Sequence, residues 1–415
     1  GYPIDTSPFL DRLAAEGVSF KRAYAHSSTT GPSHASLFTG LYPLQHRVRN
    51  NGQILDDSFV TLAEALAETG FDTAAFVSGM SHFGESRIAQ GFAHYDQPES
   101  RVLREGGRPR LYRAADETVD ATLDWLDGVA GDRPVFVWVH FYDPHRPFHL
   151  PEERVRAVTP ATEEARQALR RHLIRHHRAS AGPRALAKIH KYDAEIRLVD
   201  EEIERLVGAF AERGIGERTL WVVTSDHGQG LSNHGWFGHH SRIYNVQLHV
   251  PLIFWTPDRG TLAAREIAET LVEQVDVPVT LLDLLGGELT GQPAPVQGRS
   301  LVGWLAGGGD PPRLVYAFAE RRIAVQGHPV REPGERLALQ DLRHKLIWFS
   351  EGPDEFYDLV DDPYETRDLA AKGHPRMREL MSVLQERYLP LATEGSAELV
   401  SPETLEPLRR LGYVD

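Results

Sequence analysis

The stretch that decides the fold is His26-Ser-Ser-Thr-Thr-Gly-Pro-Ser-His-Ala-Ser-Leu-Phe-Thr-Gly40. It follows a strand-like segment, Val18 to Ala25, and the fixed φ of Pro32 suits the first turn of a helix that ends near Gly40. Thr30 therefore lies where a strand turns into a helix, near unpaired backbone N–H groups and the positive end of the helix dipole. Such a position can bind phosphate or sulfate. Judged by local sequence alone, the commoner alternative is that Thr30 is only an N-cap.

Two further segments place reactive side chains at the ends of predicted strands. The buried strand in Thr219-Leu-Trp-Val-Val-Thr-Ser-Asp-His-Gly228 ends in Asp226-His227. Ligands of doubly wound sheets gather at the carboxyl ends of strands, and carboxylate and imidazole groups there suit a divalent cation. The strand Pro134 to Phe141 leads in the same way to His145, and histidine is the usual proton donor near neutral pH.

Helical and strand patterns alternate along most of the chain. Apolar residues recur at helical spacing from Val60 to Gly70, and Phe71 to Ser78 is typical of a buried strand, so the two form one unit of a doubly wound sheet. From about Arg313 the pattern changes to short strands and turns, followed by a last helix from Pro375 to Tyr388. The predicted fold class is α/β: a doubly wound, mostly parallel sheet flanked by helices, with a small C-terminal antiparallel sheet plus helix.

These patterns predict two domains, a larger domain over 1–312 that carries the candidate reactive residues and a C-terminal α+β subdomain over 313–415. Residues 151–190 are rich in Arg, His, Ala and Glu and poor in large apolar groups, which predicts a mostly solvated helical insertion. The apolar spacing then predicts a helix from Tyr192 to Phe210, with Ile196, Val199 and Ile203 on one face.

Composition excludes several classes of protein. A net charge of −14 argues against nucleic-acid binding through a broad basic face. The chain has no cysteine, which excludes disulfides, thiolate metal sites and a formylglycine made from Cys. No apolar run approaches the roughly 18 residues that span a bilayer.

The segment Thr30 to Gly40 resembles the nucleophile signature of the sulfatase branch of the alkaline phosphatase superfamily. Its flanks, Asp11 to Val18 and Leu41 to His46, agree, and the resemblance covers nearly the whole chain. In sulfatases the first signature position is a Cys or Ser that becomes formylglycine, and the fifth is Arg; here they are Thr30 and His34. Thr cannot become formylglycine. The Thr-x-Pro-x-His pattern is instead similar to the branch of nucleotide pyrophosphatases/phosphodiesterases, in which Thr itself attacks phosphorus.

In this family a first strand, whose end carries metal-binding aspartates, precedes the loop that opens here at Gly1. That strand is missing from the sequence. Two explanations are open: the sequence is a fragment of a longer protein, or the chain has lost half of its metal site. The first is favoured because every later element of the family is present, and because a sheet without a central strand would leave backbone groups unpaired.

The resemblance also implies the site residues. Thr30, His34, His145 and His239 are the expected catalytic groups. Ser78 and Arg242 are expected to bind the substrate, although a turn or surface role is the alternative for each. His234 is expected to be either a supporting residue or a third metal ligand. The expected cofactor is one or two divalent ions (Zn, Mn or Ca), held by Asp226, His227 and Thr30.

The implied function is metal-dependent hydrolysis of a phosphate ester, with a phosphodiester or phosphonate monoester favoured, through a covalent phosphothreonine. Three alternatives stay open: a hydrolase of sulfate esters, a phosphoethanolamine- or phosphoglycerol-type transferase, and a non-catalytic binding protein that has lost part of its metal site. The expected partner is a small phosphate or sulfate ester, and a homo-oligomer is left open.

Overall fold

The computed structural model describes residues 2–79, 85–98, 102–103, 109–110, 112–129, 131–177, 182–239, 242–258, 260, 262–309, 313–319, 334–391 and 397–405. The α-helices are α1 Pro8–Glu16, α2 Thr30–Thr39, α3 Pro43–His46, α4 Leu62–Glu68, α5 Ala115–Gly128, α6 Glu152–Val158, α7 Glu163–His177, α8 Pro183–Glu212, α9 Asn245–Leu248, α10 Asp276–Leu284, α11 Val302–Leu305 and α12 Pro375–Val383. The strands are β1 Val18–Phe20, β2 Ala23–Tyr24, β3 Asp72–Val77, β4 His94–Asp96, β5 Val102–Leu103, β6 Pro109–Arg110, β7 Val135–His140, β8 Trp221–Thr224, β9 Gly230–Leu231, β10 Phe237–Gly238, β11 His249–Val250, β12 Leu252–Trp255, β13 Arg265–Ile267, β14 Val272–Glu273, β15 Val315–Ala319, β16 Arg336–Gln340, β17 His344–Phe349 and β18 Glu355–Asp358.

Two sheets form the centre of the larger part of the molecule. In the first, β3 pairs in parallel with both β4 and β7. In the second, the order is β13-β1-β12-β8, with β1 and β13 parallel and the other neighbours antiparallel. The α/β fold class is therefore confirmed. Each helix predicted beside these sheets (α4, α5, α8 and α10) is present. The carboxyl ends of β7 and β8 lie in the same region of the molecule.

The helix α2 begins two residues earlier than Pro32 would suggest. It starts at Thr30, and Gly40 ends it in the left-handed region, with φ 68°, where a glycine carries no Cβ penalty. All ten residues of the helix are buried, which shows that it is a central element and not a surface helix. Thr29 occupies the N-cap position, so the plain N-cap interpretation of Thr30 is wrong.

The long helix α8 connects the site region to the N-terminal segment through buried carboxylates. The side chain of Asp200 accepts the backbone N–H groups of Phe9 and Leu10, 3.0 and 2.8 Å away, and so caps the first turn of α1. Glu195 accepts the N–H of His149 at 3.0 Å. Because these acceptors all project from one helix, α8 fixes both the entry of the chain and the loop that follows β7.

The predicted solvated character of the segment before α8 is only partly right. Leu169 and Leu173 of α7, one helical turn apart, are each 1% exposed and pack with Ile189 of α8. Charged residues surround this narrow apolar stripe in the sequence, so the composition of the segment does not reveal it. No helix within the described ranges is both long enough and apolar enough to cross a membrane.

The C-terminal part has the predicted antiparallel sheet, in the order β15-β16-β17-β18. Leu337 and Leu339 of β16 face α12, whereas Ala338 lies on the opposite face, against Ile243 and Leu248 of the larger part. This alternation follows from the period of two along a strand. The last helix continues as a π-helical turn over Leu384–Tyr388, which matches its predicted end.

Burial of Asp193 on α8 makes the free energy of unfolding depend on pH. The carboxylate is 2% exposed, and although it accepts a hydrogen bond from the Tyr2 hydroxyl at 2.8 Å, burial raises its pKa to about 7. The unfolded chain releases this proton near pH 4. The folded state therefore loses stability relative to the unfolded state as the pH rises from about 4 to about 7.

We predict that Asp193→Asn stabilises the protein above pH 7, because the amide stays neutral and its oxygen still accepts from Tyr2. The gain in the free energy of unfolding should approach about 3–4 kcal/mol at pH 8 and shrink towards zero at pH 4. Urea unfolding of both proteins between pH 4 and 8 measures it, with Asp124→Asn on the exposed side of α5 as control. A gain independent of pH would show that the Asp193 carboxylate is not the cause.

Candidate active site

A cavity of about 130 Å³ opens at the carboxyl ends of β7 and β8. Four elements contribute to it: the start of α2, the segments that follow the two strands, and the middle of α8. The polar side chains in its lining are Thr30, His140, Tyr142, Asp143, His145, Tyr192, Ser225, Asp226, His227 and Gln229. The structure thus brings together in one cavity the three segments that carry Thr30, His145 and Asp226-His227.

Thr30 is the first residue of α2, and its hydroxyl points towards the end of β8. Its Oγ1 lies 3.3 Å from Nε2 of His227. The residue is 4% exposed, so the hydroxyl is reached from the cavity and not from the bulk surface. A hydroxyl at a helix N-terminus that contacts a second reactive side chain has the geometry of a nucleophile.

The hydrogen bonds of His227 determine which of its nitrogens is available. Its Nδ1 lies 2.9 Å from the carbonyl oxygen of Gly228, which can only accept, so Nδ1 carries a proton. In the neutral ring the lone pair is then on Nε2, which lies 3.3 Å from Oδ2 of Asp226. Two acceptors at this distance repel each other unless a proton or a cation lies between them.

The carboxylate of Asp226 is kept in its charged form. Burial opposes ionisation, but the neighbouring imidazoles His227, His34 and His140, together with the N–H of His227 at 2.9 Å, lower the pKa of Asp226 below its usual value. The site therefore presents one anionic oxygen donor beside one imidazole nitrogen.

These donors fit part of the coordination shell of a divalent cation. Asp226 supplies an oxygen, His227 a nitrogen with a fixed tautomer, and Thr30 a hydroxyl. The Nε2 atom of His227 lies 3.3 Å from both Oδ2 of Asp226 and Oγ1 of Thr30. Within the part of the chain that the structure describes, no group of three His, Cys, Asp or Glu side chains could hold a metal. The three side chains are thus chemically suitable for a divalent cation, but only two of them, Asp226 and His227, are strong ligands.

His145, in the lining of the cavity, forms a pair with His239. Their Nε2 atoms are 2.7 Å apart, and the ring of His239 stacks on that of His227 with centroids 4.2 Å apart. The Nδ1 of His239 faces the carbonyl of Ser28 and that of His145 faces the carbonyl of Arg146, so each Nδ1 donates a proton. The two Nε2 lone pairs then face each other, which needs a proton or a cation between them, and burial, which lowers the pKa of His145 to about 4, opposes the protonated form.

The other predicted catalytic residue, His34, lies behind the site. It is 2% exposed and is not part of the cavity lining. Its Nδ1 is 2.9 Å from the carbonyl of Thr30 and 4.0 Å from Oδ2 of Asp226, and burial lowers its pKa. His34 therefore contacts the residues that carry the nucleophile and the carboxylate, and it does not line the cavity itself.

The structure does not support either predicted substrate-binding residue in this cavity. Ser78 is fully buried, and its hydroxyl bonds to that of Thr118 at 2.7 Å, so it joins β3 to α5. Arg242 lines a different cavity, and its guanidinium carbon lies 5.3 Å above the ring of Trp236. His234 stacks on Tyr244, with centroids 3.9 Å apart, and is not part of the lining around Thr30.

The start of α2 offers fewer N–H donors than its position predicts. The N–H of Gly31 donates to the side-chain oxygen of Asn51 at 2.7 Å, and that of Ser33 donates to the carbonyl of Thr29 at 3.2 Å. Pro32 has no N–H. Stabilisation of a bound oxyanion must therefore come mainly from side chains.

Sequence reasoning missed three groups at the site. His140 ends β7, where the rule for strand ends could have identified it. Tyr192 reaches the cavity from α8, one turn before the apolar face that begins at Ile196. Gln274 donates to the carbonyls of Ser225 and Asp226, at 2.6 and 3.0 Å, and nothing in its local sequence indicates this role.

Comparisons with protein families agree with this geometry. The family model described as Sulfatase matches residues 1–287, which is more than half of the chain. A second model, described as the C-terminal part of N-sulphoglucosamine sulphohydrolase, matches residues 232–394 and so covers the C-terminal sheet and α12.

Individual relatives cover most of the chain at low identity. The multifunctional alkaline phosphatase superfamily protein PehA of Trinickia caryophylli is 27% identical over 93% of this chain and 89% of its own length. The N-acetylglucosamine-6-O-sulfatase of Bacteroides thetaiotaomicron is 24% identical over 92% of this chain and 81% of its own length. The crystal structure of the phosphonate monoester hydrolase of Agrobacterium radiobacter matches with a TM-score of 0.72 and 24% identity, over 96% of this chain and 95% of that one.

Proposed function

Because this chain belongs to the sulfatase family of the alkaline phosphatase superfamily, it is an ester-hydrolysing enzyme, and we propose that it hydrolyses phosphodiesters or phosphonate monoesters. In this proposal Thr30 attacks phosphorus directly and a phosphothreonine forms. A divalent cation is the proposed cofactor, with Asp226, His227 and Thr30 as the residues that would hold it.

The position of the Thr30 hydroxyl carries the proposal. It lies in the cavity, 3.3 Å from Nε2 of His227. A threonine side chain cannot become formylglycine, but its oxygen can form an ester with phosphorus. The hydroxyl is therefore a suitable nucleophile for phosphoryl transfer, whereas the usual sulfatase chemistry needs a different group at this position.

The reaction needs two displacements at phosphorus. In the first, the Thr30 hydroxyl releases its proton to water in the cavity, the bond from Oγ1 to phosphorus forms and the bond to the leaving alkoxide breaks; Thr30 regains a proton when it is released in the second. When bound, a divalent cation lowers the pKa of a coordinated hydroxyl and neutralises charge on the phosphoryl oxygens. In the second displacement water attacks the phosphothreonine and Thr30 is restored.

The histidine pair is placed to manage protons in both steps. A proton shared between His145 and His239 can pass from His145 to the leaving oxygen, and His145 can then take a proton from the attacking water. His239, held by the carbonyl of Ser28, keeps His145 oriented. Tyr192 completes the wall with a phenolic hydroxyl.

Hydrolysis of sulfate esters is the second candidate function. The matching family model is named for sulfatases, and several similar proteins carry that name. Sulfate and phosphate esters are both tetrahedral at the reacting atom, so a comparison of substrates, and not the fold, decides between the two.

We predict that Thr30→Ala lowers the turnover of bis-p-nitrophenyl phosphate at least about a thousandfold, because the attacking oxygen is removed. The protein should be assayed with its bound metal measured, beside p-nitrophenyl phosphate and p-nitrophenyl sulfate. Thr39→Ala is the matched control, since Thr39 is in the last turn of the same helix and its hydroxyl donates to the carbonyl of Ala35.

Mass spectrometry of acid-quenched wild type should show a phosphoryl group on Thr30. Turnover of the diester that survives in Thr30→Ala would exclude the covalent route. A clear preference for the sulfate ester in the wild type would replace the phosphate proposal with the second candidate.

We also predict that Gln274→Ala weakens binding of Zn²⁺ or Mn²⁺ by about 10–100-fold, because Gln274 holds the backbone that orients Asp226. Metal affinity is measured by titration against a competing chelator. Gln167→Ala, an exposed change on α7, should leave the affinity unaltered. Equal affinities for Gln274→Ala and wild type would remove the supporting role of this side chain.

A further inference from the structure

The polar side chains that line the cavity around Thr30 differ in whether they already have a partner. Most of them make a hydrogen bond or contact a neighbouring ring; these are Thr30, His140, Tyr142, Asp143, His145, Ser225, Asp226 and His227. The remaining ones are Tyr192 and Gln229, whose side chains make no hydrogen bond within the described part of the chain. A polar group that lines a cavity without a protein partner is free to contact a ligand.

Tyr192 is held in place by its surroundings on α8. The next residue, Asp193, is 2% exposed and accepts a hydrogen bond from the hydroxyl of Tyr2 at 2.8 Å, which anchors this turn of the helix. The ring of Tyr192 packs edge-to-face against Phe148, with centroids 6.5 Å apart. Because its ring is packed and its backbone is helical, Tyr192 presents a hydroxyl at a fixed place, whereas Gln229 has three rotatable side-chain bonds.

The hydroxyl of Tyr192 stays protonated and can therefore donate a hydrogen bond. The ordinary pKa of a tyrosine is about 10. Burial, together with the negative charges of Asp193 and Asp226, raises the pKa of Tyr192 further. The influence of Asp226 also indicates that the phenol lies near the end of the cavity where Thr30 and His227 meet.

A bound tetrahedral ester needs such a donor, because other donors in the cavity are scarce. No lysine or arginine is among the lining residues that the structure describes. At the start of α2, the N–H of Gly31 already donates to Asn51 and Pro32 has none. Burial lowers the pKa of His145 to about 4, which disfavours its charged form. A neutral phenol supplies a hydrogen bond without a further buried charge.

We propose that the hydroxyl of Tyr192 donates a hydrogen bond to a non-bridging oxygen of the reacting phosphoryl or sulfuryl group, which makes Tyr192 a catalytic residue. The bond balances part of the negative charge on that oxygen while Thr30 attacks. The inference rests on the proposed function, because it requires a tetrahedral ester in front of Thr30, and it applies to a sulfate ester as well as to a phosphate ester.

Tyr192→Phe tests the inference, because it removes the hydroxyl and keeps the ring that packs against Phe148. With bound metal measured, the variant should bind inorganic phosphate about 10–100-fold more weakly in calorimetric titration, and kcat for bis-p-nitrophenyl phosphate should fall by a similar factor, since a hydrogen bond to a charged group is lost. Tyr95→Phe is the matched control: its hydroxyl is buried on β4, outside the cavity, and has no hydrogen-bond partner among the described residues. Urea unfolding of both variants checks that the fold is retained.

Phosphate affinity and kcat that both stay at the wild-type level in Tyr192→Phe would overturn the inference, and so would an equal loss in Tyr95→Phe or no binding of phosphate by the wild type. The two readouts separate it from the proposed function. Diester turnover that Tyr192→Phe leaves unchanged, with unchanged phosphate affinity, defeats the role of Tyr192 alone. Weaker phosphate binding in Tyr192→Phe, without diester turnover in the wild type, defeats the phosphoryl proposal alone.

Discussion

The contact between α2 and the end of β8 is the interaction on which the site depends. The hydroxyl of Ser33, fully buried in the first turn of α2, lies 2.8 Å from Oε1 of Gln274 and is also within hydrogen-bond distance of the carbonyl of Asp226. The amide of Gln274 donates to that same carbonyl and to the carbonyl of Ser225. Each such buried bond, once broken, costs about 1–3 kcal/mol, so helix and strand end move as one unit. Thr30 and His227 stay in contact for this reason.

The sequence predicted the parts of this arrangement that follow from local rules. The strand that ends in Asp226-His227, the strand that leads to His145 and the helix after Thr30 were all recognised by apolar runs and by their boundaries. Their convergence follows from the rule that strand ends meet at one edge of a sheet. The roles of Gln274 and Tyr192 could not be predicted, because each depends on a tertiary contact with a segment far away in the chain.

Two of the predicted site residues, Ser78 and His34, do not line the cavity, and the reason is physical. Ser78 does end a strand, but its hydroxyl is satisfied by Thr118, and a buried hydroxyl with a partner is not available to a ligand. His34 is one helical turn from Thr30, so its ring lies against the carbonyl of Thr30 and not in the cavity in front of it. In both cases the position in the sequence correctly indicated a residue near the site. Whether the side chain lines the cavity or supports it from behind depends on its direction, which the sequence does not give.

The first residues of α2 determine which groups can balance the negative charge of a bound anion in the cavity. Asn51 takes the N–H of Gly31 and Pro32 has none, so the helix end contributes its dipole more than its hydrogen bonds. The negative charge of a phosphoryl or sulfuryl group must then be balanced by side chains. His145 and His239 share a position for one proton, and Asp226 and His227 face each other with a position for one cation. A tetrahedral anion bound in the cavity would interact favourably with both positive charges.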